Sequence, residues 1–279
     1  MDVNRRRIEL NGAIAWPFTR PVYNTRVLTF SLQSGSNGNC IYVEAGGKRL
    51  LFDAGINGAC AAKRLGAYGR SIRDVDAVII SHEHADHIRF AGVYNRQFRI
   101  PVYMTRSTMI MSWCDLGKLR DVRYFYSGDP LSFGPVTVYT VPTAHDAVDG
   151  VAFVVECEGK RLGILTDLGH PFSGLQAVLE SLDAAYLECN YDPELLANGT
   201  YSPALKARIA GRGGHLSNVE SAELLRACGK KRPKWLAVAH LSEENNRPAL
   251  AFEAQHRAIG HDYPVRLAPR YGPSEILVV

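Results

Sequence analysis

The residues best equipped for chemistry stand together in His82-Glu83-His84-Ala85-Asp86-His87, four possible metal ligands within six positions. Imidazole nitrogens and a carboxylate are the donor set of zinc, manganese or iron, and no thiolate stands among them. The spacing differs from the helical i, i+4 pair of an H-E-x-x-H zinc site. On a tight turn entering a helix, His82 and His84 can face one side while Asp86 and His87 face the other, which suits two metals better than one. The plain alternative is a polar surface loop rich in histidine. Three histidines and a carboxylate packed this closely repel when protonated, however, and call for a cation.

Other ligand-type residues follow apolar runs in the same way. The hexamer comes after the run 76–80, His145 after 136–141, Asp167 after 162–165 and His240 after 235–239. Such runs read as buried strands, and loops at one end of a sheet are where rigid strands hold distant side chains together. Asp53, at the end of Leu50-Leu51-Phe52, is a candidate partner for the second nitrogen of a ligand imidazole.

The elements that must position these groups follow the hydrophobic pattern. Strands are expected at 27–32 and 39–43, on either side of Ser34-Gly35-Ser36-Asn37-Gly38-Asn39. That loop reads first as a turn, with a phosphate facing its backbone N–H groups as the weaker alternative. Two hairpins, one through Gly46-Gly47 and one through Glu158-Gly159-Lys160, resemble each other. A helix is expected over 85–96 and a short strand over 101–104. The stretch 106–126 mixes Arg106, Lys118, Arg120 and Arg123 with Trp113, Tyr124, Phe125 and Tyr126. That mixture would suit a base-stacking surface, but the favoured reading is an amphipathic helix with a solvated face. Ser217 or Asn218 is expected to cap a helix over 219–228.

With 279 residues and 46% hydrophobic content, the chain can bury a sizeable core. It shows no low-complexity segment, short-period repeat or linker, so 1–279 is expected to form a single domain with 1–26 as an extension packed on it. No run approaches the roughly 18 apolar residues of a membrane span. Arg5-Arg6-Arg7 is basic, but Glu9 breaks the short apolar stretch after it and no signal-peptide core appears. The six cysteines are scattered without a C-x-x-C, which favours reduced thiols in a cytoplasmic protein. A net charge of +4 permits a polyanionic substrate without requiring one.

The hexamer fits the H-x-H-x-D-H signature of the metallo-β-lactamase superfamily, and His145, Asp167 and His240 follow in the order that signature needs. Over roughly 28–260 the chain resembles the YycJ/WalJ-like branch of that superfamily. The resemblance is carried by Leu187-Glu188-Cys189-Asn190-Tyr191-Asp192, Leu205-Lys206-Ala207-Arg208-Ile209, Gly214-His215-Leu216-Ser217-Asn218, and the stretch 241–248. One departure is Tyr191, where members of the branch tend to carry histidine, so any substrate contact of that histidine does not transfer.

The resemblance implies an α/β (α+β) fold, a four-layer αββα sandwich, in keeping with the two similar halves. It also implies two divalent ions, Zn²⁺ or Mn²⁺ with iron also accepted. One would be held by His82, His84 and His145, the other by Asp86, His87 and His240, with Asp167 bridging. Such a pair, about 3.5–4 Å apart, suits in-line displacement at phosphorus by a water that loses its proton near neutral pH. Asp86 counts among the catalytic residues as well as the ligands. By similarity to the Gly-His-Ser element of the tRNase Z nucleases, His215 is a proton donor to the leaving alkoxide or a ligand of the scissile phosphate, with Glu188 orienting it. The competing reading makes His215 a structural residue at a helix start.

The implied activity is that of a metal-dependent phosphodiesterase on nucleic acid, most simply a 5′-exonuclease on DNA. A small-molecule hydrolase (lactonase, thioesterase or cyclic-nucleotide phosphodiesterase) is the alternative, and a non-catalytic metal-binding protein a weaker one. The chain lacks room for the inserted domain of ribonuclease J-like enzymes or the flexible arm of tRNase Z. Any grip on a polynucleotide would therefore come from Lys206, Arg208, Arg212 and Lys230-Lys231-Arg232. Asn245 and Arg247 are either phosphate contacts or turn residues.

Overall fold

The computed structural model describes residues 26–279. The extension expected over 1–26 therefore lies outside the described residues apart from Arg26. Apolar runs become β1 (Leu28–Gln33), β2 (Cys40–Ala45), β3 (Lys48–Phe52), β4 (Ala77–Ile79), β5 (Val102–Thr105) and β6 (Val122–Phe125) in one sheet. A second sheet contains β7 (Leu131–Phe133), β8 (Val136–Pro142), β9 (Val151–Cys157), β10 (Lys160–Leu165), β11 (Ala184–Glu188), β12 (Trp235–Ala239) and β13 (Val265–Leu267). Finally β14 (Leu277–Val278) returns to the first sheet beside β1.

The strand orders are β14-β1-β2-β3-β4-β5-β6 and β13-β12-β11-β10-β9-β8-β7. Each sheet begins antiparallel and changes to parallel after its hairpin, at β3 and at β10. The repeat extends to side chains. In the first half Asp76 accepts the Arg49 N–H at 2.8 Å and the Lys48 ammonium at 3.2 Å. In the second, Asp183 accepts the Arg161 N–H at 3.1 Å and the Lys160 ammonium at 3.4 Å. In both, a Lys-Arg pair opening a hairpin strand is tied to the aspartate that precedes the neighbouring parallel strand.

The inner faces pack together, with Phe52 and Phe153 ring centroids 5.1 Å apart among Ile41, Ile79, Val138 and Ile164. Burying each such side chain is worth about 1.5–3 kcal/mol. Outside the first sheet, α1 (Gly58–Gly66), α2 (Ala85–Ile88), α3 (Ala91–Phe98) and α4 (Arg106–Leu116) cover Phe30, Leu51 and Val78 with Leu65, Ile88, Tyr94 and Leu116. On the second sheet's side follow α5 (Leu175–Glu180), α6 (Pro193–Asn198), α7 (Pro203–Ile209), α8 (Asn218–Ala227) and α9 (Pro248–Ile259). There Leu179, Leu225 and Ala251 pack on Leu165, Leu187 and Val238. Helices, two sheets and helices make the expected αββα sandwich.

Two expectations need correction. The helix over 85–96 is two helices, because the loop after β3 intrudes between them. The Ala54 N–H donates to the His87 carbonyl at 2.7 Å, and its carbonyl accepts the Phe90 N–H at 2.9 Å. Those backbone groups are therefore lost to a continuous helix. The loop comes so close that a Cβ on Gly55 would lie 1.8 Å from the Asp86 carbonyl oxygen, so this position must be glycine. The second correction concerns 106–126, which is helix and then edge strand. The solvent side of α4 is not polar, with Ile110 75% and Trp113 63% exposed. Among the described residues no helix is long and apolar enough to cross a membrane.

Candidate metal centre

The ligand-type side chains leave the ends of strands on a common edge. Asp53 follows β3, the hexamer follows β4, His145 follows β8, Asp167 follows β10 and His240 follows β12. At three of these ends the backbone is left-handed at a residue other than glycine: Asp53 with φ 65°, Asp167 with φ 57° and His240 with φ 56°. Conformations of this kind cost on the order of 1–3 kcal/mol and persist where the surroundings over-determine them. They turn the chain sharply enough to aim these side chains at one point.

Around that point two triads form. His82, His84 and His145 offer atoms within 4.8 Å of one another, as do Asp86, His87 and His240. His145 Nε2 lies 3.2 Å from His84 Nδ1, and Asp86 Oδ2 lies 3.3 Å from both His87 Nε2 and His240 Nε2. Asp167 stands between the triads. Its Oδ2 is 3.2 Å from His87 Nε2, and its Oδ1 is 3.7 Å from His145 Nε2 and 3.6 Å from His240 Nε2. The hexamer contributes two histidines to one of these triads and Asp86 with His87 to the other, while His82, His87 and Asp167 also offer atoms within 4.8 Å of one another.

Neighbouring groups set which nitrogen each ring presents. His145 Nδ1 donates to the Gly214 carbonyl at 2.7 Å, leaving the Nε2 lone pair toward His84 and Asp167. Asp53 Oδ2 is 2.7 Å from His87 Nδ1 and also accepts the Ser81 hydroxyl at 3.1 Å. Glu188, fully buried, accepts the Leu168 N–H at 2.9 Å and lies 2.7 Å from His215 Nδ1. That leaves Nε2 as the free nitrogen of His215. The return from α7 to His215 is tight, and a Cβ on Gly214 would lie only 2.0 Å from the Ile209 carbonyl oxygen. Ser217 caps α8 in a capping box with Glu220.

Electrostatics shows a cluster that needs positive charge. Burial disfavours a charged His240, but Asp167, Asp86 and Glu188 outweigh it and push the imidazole up to about 10. Burial also opposes ionisation of Asp167, yet the His240 and His87 rings hold its carboxyl well below the usual range. For His82, burial and then the neighbouring His87 cation keep the imidazole well below its ordinary value. Among the ligand-type side chains, His82 Nε2 and Asp167 Oδ2 are buried without a hydrogen bond, although His87 Nε2 stands 3.2 Å from that oxygen. Buried polar atoms of this kind require a partner, and the nitrogen and oxygen donors fit zinc, manganese or iron.

Several supporting residues have roles that sequence reading does not assign, although Asn39 and Asn190 stand in stretches it singles out. Asn39 Nδ2 lies 3.1 Å from His87 Nε2 and 3.3 Å from Asp86 Oδ2. Ser81 joins Asp53, His82 and His87. Asn190 Nδ2 lies 3.1 Å from His240 Nδ1. Asp146 stands 3.8 Å from His84 and 3.5 Å from His145 while accepting Arg208 Nε at 2.6 Å. For Asp146 and Ser81, adjacency to a ligand histidine was the one available signal.

Other candidates are displaced. The Ser34–Asn39 loop is a turn in which Gly35 donates to Asn39 Oδ1, Gly38 to the Gly35 carbonyl and Asn39 to the Asp86 carbonyl, while Ser36 and Asn37 are exposed. Arg247 donates to the carbonyls of Glu243 and Asn246 in its own turn, as a turn residue does, while Asn245 is buried with both amide atoms unpartnered. Lys230-Lys231-Arg232 precedes β12, about 16 Å of strand away from the His240 end. Arg208 and Arg212 stay close, because Arg208 is tied to Asp146 and the Asp146 N–H donates to the Gly213 carbonyl at 2.9 Å, whereas the Lys206 ammonium donates to the Ala197 carbonyl at 2.7 Å. Tyr191 is buried, and its backbone pairs with Ser217.

Comparison with known proteins agrees with this architecture. The chain is 36% identical over 225 residues to Exodeoxyribonuclease WalJ of Streptococcus pneumoniae, covering 79% of this chain and 83% of that protein. It is 32% identical over 222 residues to Exodeoxyribonuclease YycJ of Bacillus anthracis, covering 79% and 84%. Among solved structures, the metallo-beta-lactamase fold protein YhfI from Bacillus subtilis superposes with a TM-score of 0.69 at 17% identity, covering 91% of this chain and all of that one. At that identity the likeness is one of fold. The family model of the metallo-beta-lactamase superfamily matches residues 34–240, from the turn after β1 to the last strand-end histidine, and the chain belongs to that superfamily.

Proposed function

We propose that this protein is a binuclear metal-dependent phosphodiesterase that degrades nucleic acid, of the 5′-exonuclease type with DNA as substrate. The observation that carries the reading is the Asp167 carboxylate, placed between two complete triads with one buried oxygen lacking a hydrogen bond. The two relatives named as exodeoxyribonucleases support the substrate class. His82, His84 and His145 would hold one ion, Asp86, His87 and His240 the other, and Asp167 both. Zn²⁺ or Mn²⁺ suits these donors, and iron is compatible. A divalent pair bound there supplies Lewis-acid charge to the phosphate and acidifies water near neutral pH.

The chain's own groups do the rest. Asp53 and Ser81 orient His87, and the Gly214 carbonyl orients His145. Glu188 engages His215 Nδ1, so Nε2 is the nitrogen that protonates a departing sugar oxygen. Arg208 and Arg212 give a cationic rim for the phosphate backbone. All six cysteines are free, in keeping with a reducing, cytoplasmic setting.

The test is incubation of the purified protein with Mn²⁺ and end-labelled single-stranded and duplex oligonucleotides. Progressive shortening that disappears in Asp167→Ala is the expected result. Absence of any release with Zn²⁺, Mn²⁺ or Fe²⁺ would shift the assignment to small-molecule hydrolysis.

A further inference from the structure

Away from the centre, the first sheet ends in an open edge with unusual chemistry. β6 pairs with β5 alone, and Tyr124 and Tyr126 beside it are 43% and 73% exposed. Across from them α4 presents Trp113 to solvent. Trp113, Lys118, Arg120 and Tyr124 line an open groove of about 880 Å³ between helix and edge strand. The Arg106 guanidinium lies 4.7 Å over the Tyr124 ring, a cation–π contact. Large apolar surface left uncovered in this way marks an interaction site.

Charge says what kind. Residues 89–126 contain seven Lys or Arg and two Asp, a net of +5 in a chain whose total is +4. Asp121 is taken by Arg123 at 3.2 Å. Among the described residues no carboxylate lies in ion-pair range of Arg106, Lys118 or Arg120. A second copy of this chain would bring like charges face to face across a twofold contact. A single strand of nucleic acid supplies what both features lack, phosphates for the cations and flat bases for the rings.

Position fits as well. β4, β5 and β6 run parallel, with Ile79 paired to Tyr103 and Thr105 to Phe125. The strand end leading to His82, the one leading to Arg106 and the one leading to Tyr126 therefore lie along one edge. At about 4.8 Å per strand and about 3.3 Å per residue, Arg123, level with Ile79, is about 10 Å from the end of β4, and Tyr126, three residues further on, is about 14 Å away.

We propose that the groove between α4 and β6 is a base-stacking platform for single-stranded nucleic acid, running from Lys118 and Arg120, just before β6, along Tyr124 toward Tyr126 at the edge that carries the metal centre. The proposal rests on the nuclease reading, and its test separates the two. Affinity for a fluorescent 12-nucleotide single strand is measured by anisotropy with the full-length protein. In parallel, turnover of bis-p-nitrophenyl phosphate is followed, a phosphodiester too small to span the distance. Trp113→Ala and Tyr124→Ala should each weaken oligonucleotide binding about 10-fold and leave turnover of the small phosphodiester unchanged. Arg106→Gln should lower the salt dependence of binding by about one phosphate contact.

Oligonucleotide affinity within twofold of the parent in both aromatic variants overturns the platform, whether or not the parent cleaves DNA. A parent that cleaves no oligonucleotide yet binds the single strand through these rings overturns the nuclease reading and leaves the platform standing. A change from dimer to monomer in Trp113→Ala by sedimentation, with oligonucleotide binding intact, assigns the groove to self-association and overturns the proposal.

Discussion

At the scale of single residues, the centre separates groups that would touch ions from groups that aim them. Asp53 belongs to the second kind, because its carboxylate meets His87 Nδ1 at 2.7 Å on the side away from Asp86 and Asp167. Asp53→Asn should therefore weaken metal binding about 10- to 100-fold, read by competition with a chromophoric chelator, while far-UV circular dichroism stays that of the parent. Unaltered affinity would show that Ser81 and Asn39 suffice to hold the ring. His215 makes the contrasting case, being outside both triads yet fixed by the buried Glu188. In His215→Ala the metal content should stay at the parent's level while turnover falls about 100-fold or more. Loss of the ions themselves would contradict a proton-donating role.

At the scale of elements, polar brackets at the starts of strands hold those strands in the register that carries the site at their far ends. Burial works against the charge on Asp183, but hydrogen bonds from Lys234 and the Arg161 N–H hold its carboxyl below the usual range. A depressed carboxyl stabilises the fold above its unfolded pKa, and that contribution is lost as pH falls through the folded value. Asp183→Asn should cost about 1 kcal/mol at pH 7, little more because the bracket is partly solvated. The gap in urea midpoints should narrow at pH 3, and an equal gap at both pH values would rule out the charge as its source.

Elements also show what the amino-acid pattern reveals and what it conceals. The hexamer, His145, Asp167 and His240 are legible because each ends an apolar run, and burial periodicity is local information. The break between α2 and α3 is not, since its cause is Ala54, more than thirty positions earlier in the chain. Asn39 and Asn190 stand in stretches the sequence singles out, but their roles stay hidden because their contacts to His87 and His240 form between loops that no local spacing relates. The exposure of Ile110 and Trp113 on α4 escapes for another reason. Apolar residues in a helical stretch imply a buried side, and only the finished packing shows which of them it leaves in water.

At the scale of the whole molecule, two similar halves meet at one edge, and each contributes ligands to both triads. The first half brings the hexamer; the second brings His145, Asp167 and His240. An ion bound between them would therefore join the two sheets, and its removal by a chelator should lower the unfolding temperature, since a ligand at about 1,000 times its dissociation constant stabilises by about 4 kcal/mol. The left-handed turns at Asp53, Asp167 and His240 carry a wider meaning. Glycine would take these turns without strain, so what keeps two aspartates and a histidine there is what their side chains reach. In chelated samples Asp167→Gly should be inert toward DNA and melt below the parent, because the carboxyl that His240 and His87 hold down is lost, and a higher melting point would mean that relief of the strained turn outweighs that charge.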